Sequence, residues 1–318
     1  MPVSNGLLSR REALQLMGST AAAASLPALW TPSLARAAQG SHAFKLGAFD
    51  ITIISDGSFT LPMSFVLPAT PKEEAEAVYA AHGQSPQGLA AQVNVTVLKT
   101  PDATIIVDTG GGPDFMPTVG QLADNLDRAG IAPDSITHVV FTHAHGDHLW
   151  GVIDPLDGGT RFTKARHVMA ATELDFWSQA DIESKVPEAL KAIAAGTSRH
   201  LKALGGRIER VKPGGDIVPG VTLVDTSGHT PGHTSVLVKS GTDQLMIGGD
   251  VITNPVISFA KPDWPWGPDM DREKGIASRK RVLDMLAADK IGLIGYHLPW
   301  PGLARVERKD GAYRYVAG

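Results

Sequence analysis

The sequence predicts an α+β fold in which two β-sheets lie between outer layers of helices. Three features carry that expectation. Runs of β-branched residues broken by glycine-containing turns recur in both halves of the chain, helical periodicity appears beside each set, and polar clusters stand directly after the apolar runs.

Residues 1–37 read as an export address rather than as part of the fold. Ser9-Arg10-Arg11-Glu12-Ala13-Leu14 is a twin-arginine pattern, followed by the alanine-rich LMGSTAAAASLPALW and a small-residue exit at Ala35-Arg36-Ala37. Pro27 interrupts the apolar run, which falls short of the roughly 20 residues that span a bilayer. A periplasmic mature chain beginning near Ala38, with no stable membrane anchor, is therefore expected. No low-complexity tract or linker appears after residue 40, so residues 38–318 are expected to form one domain.

In the first half, LGAFDITIISDG, VNVTVLK and ATIIVDTG carry the alternating or continuous apolar patterns of strands, ended by Asp-Gly and Thr-Gly. TVGQLADNLDRAG places Val119, Leu122 and Leu126 at helical spacing and stops at Gly130. SITHVVF is a buried strand that runs straight into THAHGDH. In the second half, ARHVMAATELDFW reads as strand then helix and VPEALKAIAAGTSRHLKAL as a helix. RIERVK, GVTLVDTSG, TSVLVKS and DQLMIGGD then read as strands. Residues 271–288 form a helix with Ile276, Val282, Leu283 and Leu286 on or near one face and Asp269 or Asp271 as its cap. IGLIGYH is a last core strand, and LARVERKDGAYRYV is a hairpin turning at Asp310-Gly311.

A net charge of −4 and a pI near 6.2 argue against a nucleic-acid partner, which needs a concentrated basic face. The absence of cysteine excludes disulfides, thiolate zinc sites and iron–sulfur clusters. Any metal must sit on imidazole and carboxylate. His143, His145, Asp147 and His148 crowd one strand end, and His229, His233, Asp250 and His297 each follow a later apolar run. Strands in a sheet end side by side, so these positions can converge on one rim. His143, His145 and His229 would hold one ion, Asp147, His148 and His297 another, and Asp250 would span both. His233 is expected to support or pack against this set. Asp108 is either a turn aspartate or a partner that orients a ligand imidazole through its other nitrogen.

HAHGDH followed by GHTPGH, GGD and a late YH resembles the metallo-β-lactamase superfamily over essentially the whole mature chain. That resemblance implies a four-layer αβ/βα sandwich. Closer in detail, GPDFMPTVGQLADNL, ELDFWSQ, GHTPGHTSVLV and HLPWPG resemble the methyl parathion hydrolase group with its lactonase and arylesterase relatives. The likeness implies pocket-lining roles for Phe115 and Trp177, a tilt of Asp108 toward ligand support, and a homodimer. Proline-rich apolar loops carrying Phe65, Trp264 and Trp266 are expected to close over the site or form a dimer face.

Two ions, zinc foremost with cobalt or manganese as substitutes, would give a bridging hydroxide, with Asp147 and Asp250 as the catalytic carboxylates. The expected reaction is hydrolysis of a small apolar lactone, aryl ester or phosphotriester. Acyl-homoserine lactonases of the family typically carry a tyrosine three residues past the bridging aspartate, where Thr253 stands here, so that activity ranks as an alternative beside glyoxalase II-like thioester hydrolysis. An iron-dependent oxidoreductase resembling the persulfide dioxygenases is the alternative of another class.

Overall fold

The structure, a computed structural model, describes residues 40–85 and 88–318. The export leader expected over residues 1–37 lies outside the described residues. Two seven-stranded mixed sheets make up the frame. In one the strands lie in chain order from β1 (Ser41–Leu46) to β7 (Ile208–Val211), and in the other β14 (Ala312–Ala317) leads back to β8 (Asp216–Val218). Among the described residues no helix is long and apolar enough to cross a membrane.

The first predicted strand is two. β1 (Ser41–Leu46) and β2 (Phe49–Leu61) pair antiparallel around Gly47 and Ala48. Gly47 takes φ 53, the positive value that two-residue hairpins favour. The expected turn at Asp56-Gly57 is instead a bulge within β2, because the register to β3 (Leu89–Lys99) shifts between Ser55 and Ser58 and pairing then continues to Leu61. The buried Asp56 carboxylate accepts from Gly111 N at 2.8 Å and Leu122 N at 2.7 Å, so the bulge also anchors the next loop and helix.

That helix is shorter than its periodicity suggests, Leu122–Arg128, with Val119 bridged to Gly57 instead. Gly120 at φ 89 cannot continue a right-handed helix backward. The C-terminal helix Arg272–Asp289 is capped by Asp271, whose side chain accepts from Lys274 N at 3.0 Å. Its Val282, Leu283 and Leu286 pack with Met246 and Leu293 of the second sheet. Burying each such side chain fully contributes about 1.5–3 kcal/mol. β13 (Leu303–Lys309) and β14 (Ala312–Ala317) form the expected hairpin.

Four strands matter for the site. β4 (Thr104–Val107) lies parallel to β5 (His138–Phe141), and β11 (Asp243–Ile247) parallel to β12 (Gly292–Ile294). Their C-terminal ends deliver the polar segments that follow.

Candidate metal centre

Parallel register sets the geometry first. With Ile105 opposite His138 and Met246 opposite Leu293, the residues just beyond each strand pair emerge together. Asp108 and His143 follow β4 and β5; Asp250 and His297 follow β11 and β12. The turn between β9 (Val221–Asp225) and β10 (Thr234–Ser240) adds His229. β12 ends at Ile294, so the chain turns away before Tyr296 and His297 instead of continuing the strand expected from IGLIGYH.

The seven side chains marked by the sequence come together as two groups. His143, His145, His229 and Asp250 form one, and Asp147, His148 and His297 the other, with the ligand-type atoms in each within 4.8 Å of one another. Asp250 touches both. Its Oδ2 lies 3.2 Å from His229 Nε2, while its Oδ1 lies 3.2 Å from both His148 Nε2 and His297 Nε2.

The donor set fits divalent ions. His229 Nε2 and His145 Nδ1 face each other at 3.0 Å. The Nε2 atoms of His143 and His145 are buried without a hydrogen-bond partner among the described residues, and Asp250 Oδ1 meets His148 Nε2 and His297 Nε2 at 3.2 Å but out of line for a good hydrogen bond. Buried polar atoms left unpaired in this density are costly unless something is bound there. Nitrogen and carboxylate oxygen in two such sets suit zinc, and equally cobalt or manganese.

Electrostatics separates the imidazoles by role. Burial, reinforced by neighbouring histidines, holds His143 well below its ordinary range and His145 at about 3, which leaves them neutral and able to donate a lone pair. Burial also disfavours charge on His148 and His297, but Asp250 and Asp147 outweigh it. His148 is raised well above the usual value and His297 to about 10. Without an ion these two protons neutralise the carboxylates, and an arriving dication must displace them.

A supporting ring of contacts fixes the ligands. Asp108, at φ 61, accepts from Thr142 N and Thr142 Oγ1 at 2.7 Å each and meets His148 Nδ1 at 2.8 Å. The left-handed backbone, which costs a non-glycine residue roughly 1–2 kcal/mol, turns that carboxylate under the imidazole. His233 is outside both ligand groups, and its Nε2 accepts from Asp250 N at 2.9 Å. His297 Nδ1 bonds Gln92 O at 2.7 Å, and Tyr296 stacks on His148 while its hydroxyl donates to Asp147 O.

Sequence reasoning missed two carboxylates here. Asp269, weighed only as a helix cap, lies 3.2 Å from His229 Nδ1. Glu173, within the helix read from ARHVMAATELDFW, is fully buried and accepts four hydrogen bonds. An acidic residue on the inward face of that helix was the available signal, since charge is seldom buried without partners.

A cavity of about 320 Å³ opens over the cage. His145, Asp147, His229, Asp250 and His297 form its floor, and Phe59, Phe65, Leu89, Phe115, Ile193 and Trp266 are among its apolar walls. Phe115 is among the residues lining this cavity. Trp177 is not. It is fully buried behind His145, with ring centroids 5.5 Å apart, and its Nε1 donates to Glu173 Oε1 at 2.7 Å. Its helix turns the indole inward, so packing behind a ligand replaces the expected wall position. Thr253 borders the cavity three residues past Asp250.

Comparison with known proteins agrees with this arrangement. The family model described as "Metallo-beta-lactamase superfamily" matches residues 88–294. AidC, a dizinc quorum-quenching lactonase solved with the product N-hexanoyl-L-homoserine, superposes with a TM-score of 0.82 at 29% identity, covering 88% of this chain and 97% of that one. N-acyl homoserine lactonase AiiB of Agrobacterium fabrum is 30% identical over 168 residues, 46% of this chain and 58% of that protein. The uncharacterized protein YobT of Bacillus subtilis is 29% identical over 154 residues, 47% of this chain and 63% of that protein. The chain thus spans about three-fifths of the length of these two curated relatives. AidC and AiiB are named as lactonases, and the narrower likeness to the methyl parathion hydrolase group is not what these relatives show.

Proposed function

The chain belongs to the metallo-beta-lactamase superfamily, and from that premise we propose that it is a two-metal lactonase opening N-acyl homoserine lactones. One observation carries the reading: five residues of a seven-residue His/Asp cage form the floor of a cavity whose walls are apolar. Likeness to AidC and AiiB, both named as lactonases, supports it. The preference this reverses rested on Thr253 in place of a tyrosine. Its short side chain leaves room beside Asp250 for a ring substrate.

His143, His145, His229 and Asp250 would hold one ion, and Asp147, His148, His297 and Asp250 the other. Two divalent ions held there would supply Lewis acidity, polarising a carbonyl and lowering the pKa of water toward about 7. The protein's own part is placement. Phe65, Phe115, Ile193 and Trp266 take up the acyl tail and exclude water, which leaves the polar ring over the His/Asp floor. Hydrolysis then breaks the ring C–O bond, with the hydroxyl of water joining the acyl carbon and a proton the ring oxygen. Asp147 and Asp250 are the carboxylates at hand to accept and return that proton.

Aryl esters and phosphotriesters are the wider reading of the same cage. A panel of N-acyl homoserine lactones, aryl esters, phosphotriesters and thioesters, run on zinc-loaded protein, tests the choice. Acyl lactones should give the highest kcat/KM, with a dependence on tail length. Preference for thioesters, or iron content with oxygen uptake, would overturn it.

A further inference from the structure

Arg279 lies in the interior of the helix Arg272–Asp289 and is only 4% exposed, which is rare for a guanidinium. Its Nη2 donates to Asp269 Oδ2 at 2.6 Å. Nη1 donates to Pro262 O at 3.2 Å and Trp264 O at 3.3 Å. One planar cation therefore holds two things: the carboxylate that meets His229 Nδ1, and the backbone of the loop that carries Trp266 and Pro268 into the cavity wall. The surroundings are built for this approach. Met270 N donates to His229 O and Asp271 N to Gly228 O, so the loop is laced to the histidine's own turn. Gly275 faces Asp269, and a Cβ there would stand 2.5 Å from Asp269 Oδ2.

We propose that Arg279, acting through Asp269, is a positioning residue that ties the substrate-facing wall to the ligand His229, so that pocket shape and ion affinity are set together. The proposal rests on the reading of His229 as a metal ligand. With Nδ1–H directed at Asp269, the Nε2 lone pair is left toward His145 and Asp250, the tautomer that coordination requires. A lysine at 279 keeps the charge but has one nitrogen, which cannot satisfy three acceptors spread over a guanidinium's width. An asparagine at 269 keeps the shape but offers a neutral partner to His229 and an amide to the cation.

The test uses the full chain with zinc alone and with cobalt alone, comparing wild type, Arg279→Lys and Asp269→Asn. Chelator competition should show the weaker-held ion released about 10- to 100-fold more readily in both variants, as loss of an outer partner to a ligand histidine does. The visible cobalt spectrum should shift in both. KM for a long-tailed acyl lactone should rise in Arg279→Lys by more than in Asp269→Asn, because only the former frees Pro262 O and Trp264 O. Wild-type protein that binds no ion refutes the two-metal reading itself. Wild type holding two ions, with both variants matching its affinity and cobalt spectrum while folded by circular dichroism, overturns the tie.

Discussion

Glu173→Gln probes the cage through its support rather than through a ligand. Oε1 accepts from Ala144 N at 3.0 Å and Trp177 Nε1 at 2.7 Å; Oε2 accepts from Thr230 Oγ1 at 2.8 Å and Gly232 N at 2.9 Å. Ala144 sits between His143 and His145, and Thr230 and Gly232 sit between His229 and His233, so one carboxylate pins ligand loops from both halves of the fold. Glutamine can accept on one side only. Thr230 can reverse its hydroxyl, which makes that the cheaper side for the amide nitrogen, and Gly232 N is then left buried without an acceptor. An unsatisfied buried N–H costs about 1–3 kcal/mol, and exchanging a charged for a neutral acceptor weakens each of the other bonds by roughly 1 kcal/mol. Relief of burying a charge offsets part of this, since burial pushes the Glu173 carboxyl up despite its four donors. The net expectation is about 2–4 kcal/mol, or a fall in melting temperature of roughly 5–10 °C for a chain of this size. Urea and thermal unfolding of metal-free protein measure it. A midpoint within about 1 °C of wild type would refute the reasoning, as would Glu173→Leu proving more stable than wild type.

Asp250→Asn should keep the fold by circular dichroism yet hold fewer than two ions per chain and lose turnover by at least about 10²-fold, read by metal analysis and kinetics. Zinc binding at neutral pH should release protons, because Asp250 and Asp147 hold His148 and His297 charged against burial and a coordinating imidazole nitrogen carries no proton; an indicator dye in weak buffer reports it. Burial raises Asp56 to about 6 from the ordinary 3.8. Between about pH 4 and 6 the folded chain thus keeps a proton that the unfolded chain has lost, and this group's contribution to stability falls as pH rises. The stability gap between wild type and Asp56→Asn should therefore narrow by about 2 kcal/mol from pH 4 to 6.5, measured by urea unfolding.

The sequence by itself determined the alternation of strands and helices in both halves and the identity of the seven side chains that meet at the cage. Period-two apolar runs ending in His or Asp are local patterns, and parallel strands whose ends align must bring such residues to one rim. Local signals also misled where two structures share one signal: Asp56-Gly57 makes a bulge and Gly47-Ala48 the turn, since only pairing with β3 distinguishes them. Beyond Asp108 and His233, which the sequence already offered, tertiary structure alone decided which side chains support the ligands. Glu173, Asp269 and Arg279 stand 57, 40 and 50 residues from the partners Thr230, His229 and His229 that give them meaning, two of them through a direct bond and Arg279 through Asp269. A carboxylate or guanidinium on a helix reads as solvated surface until packing removes the water, and only then must its hydrogen bonds be found inside the protein. The same packing withdrew Trp177 from the cavity and left Phe115 in it, a difference of side-chain direction that no spacing records.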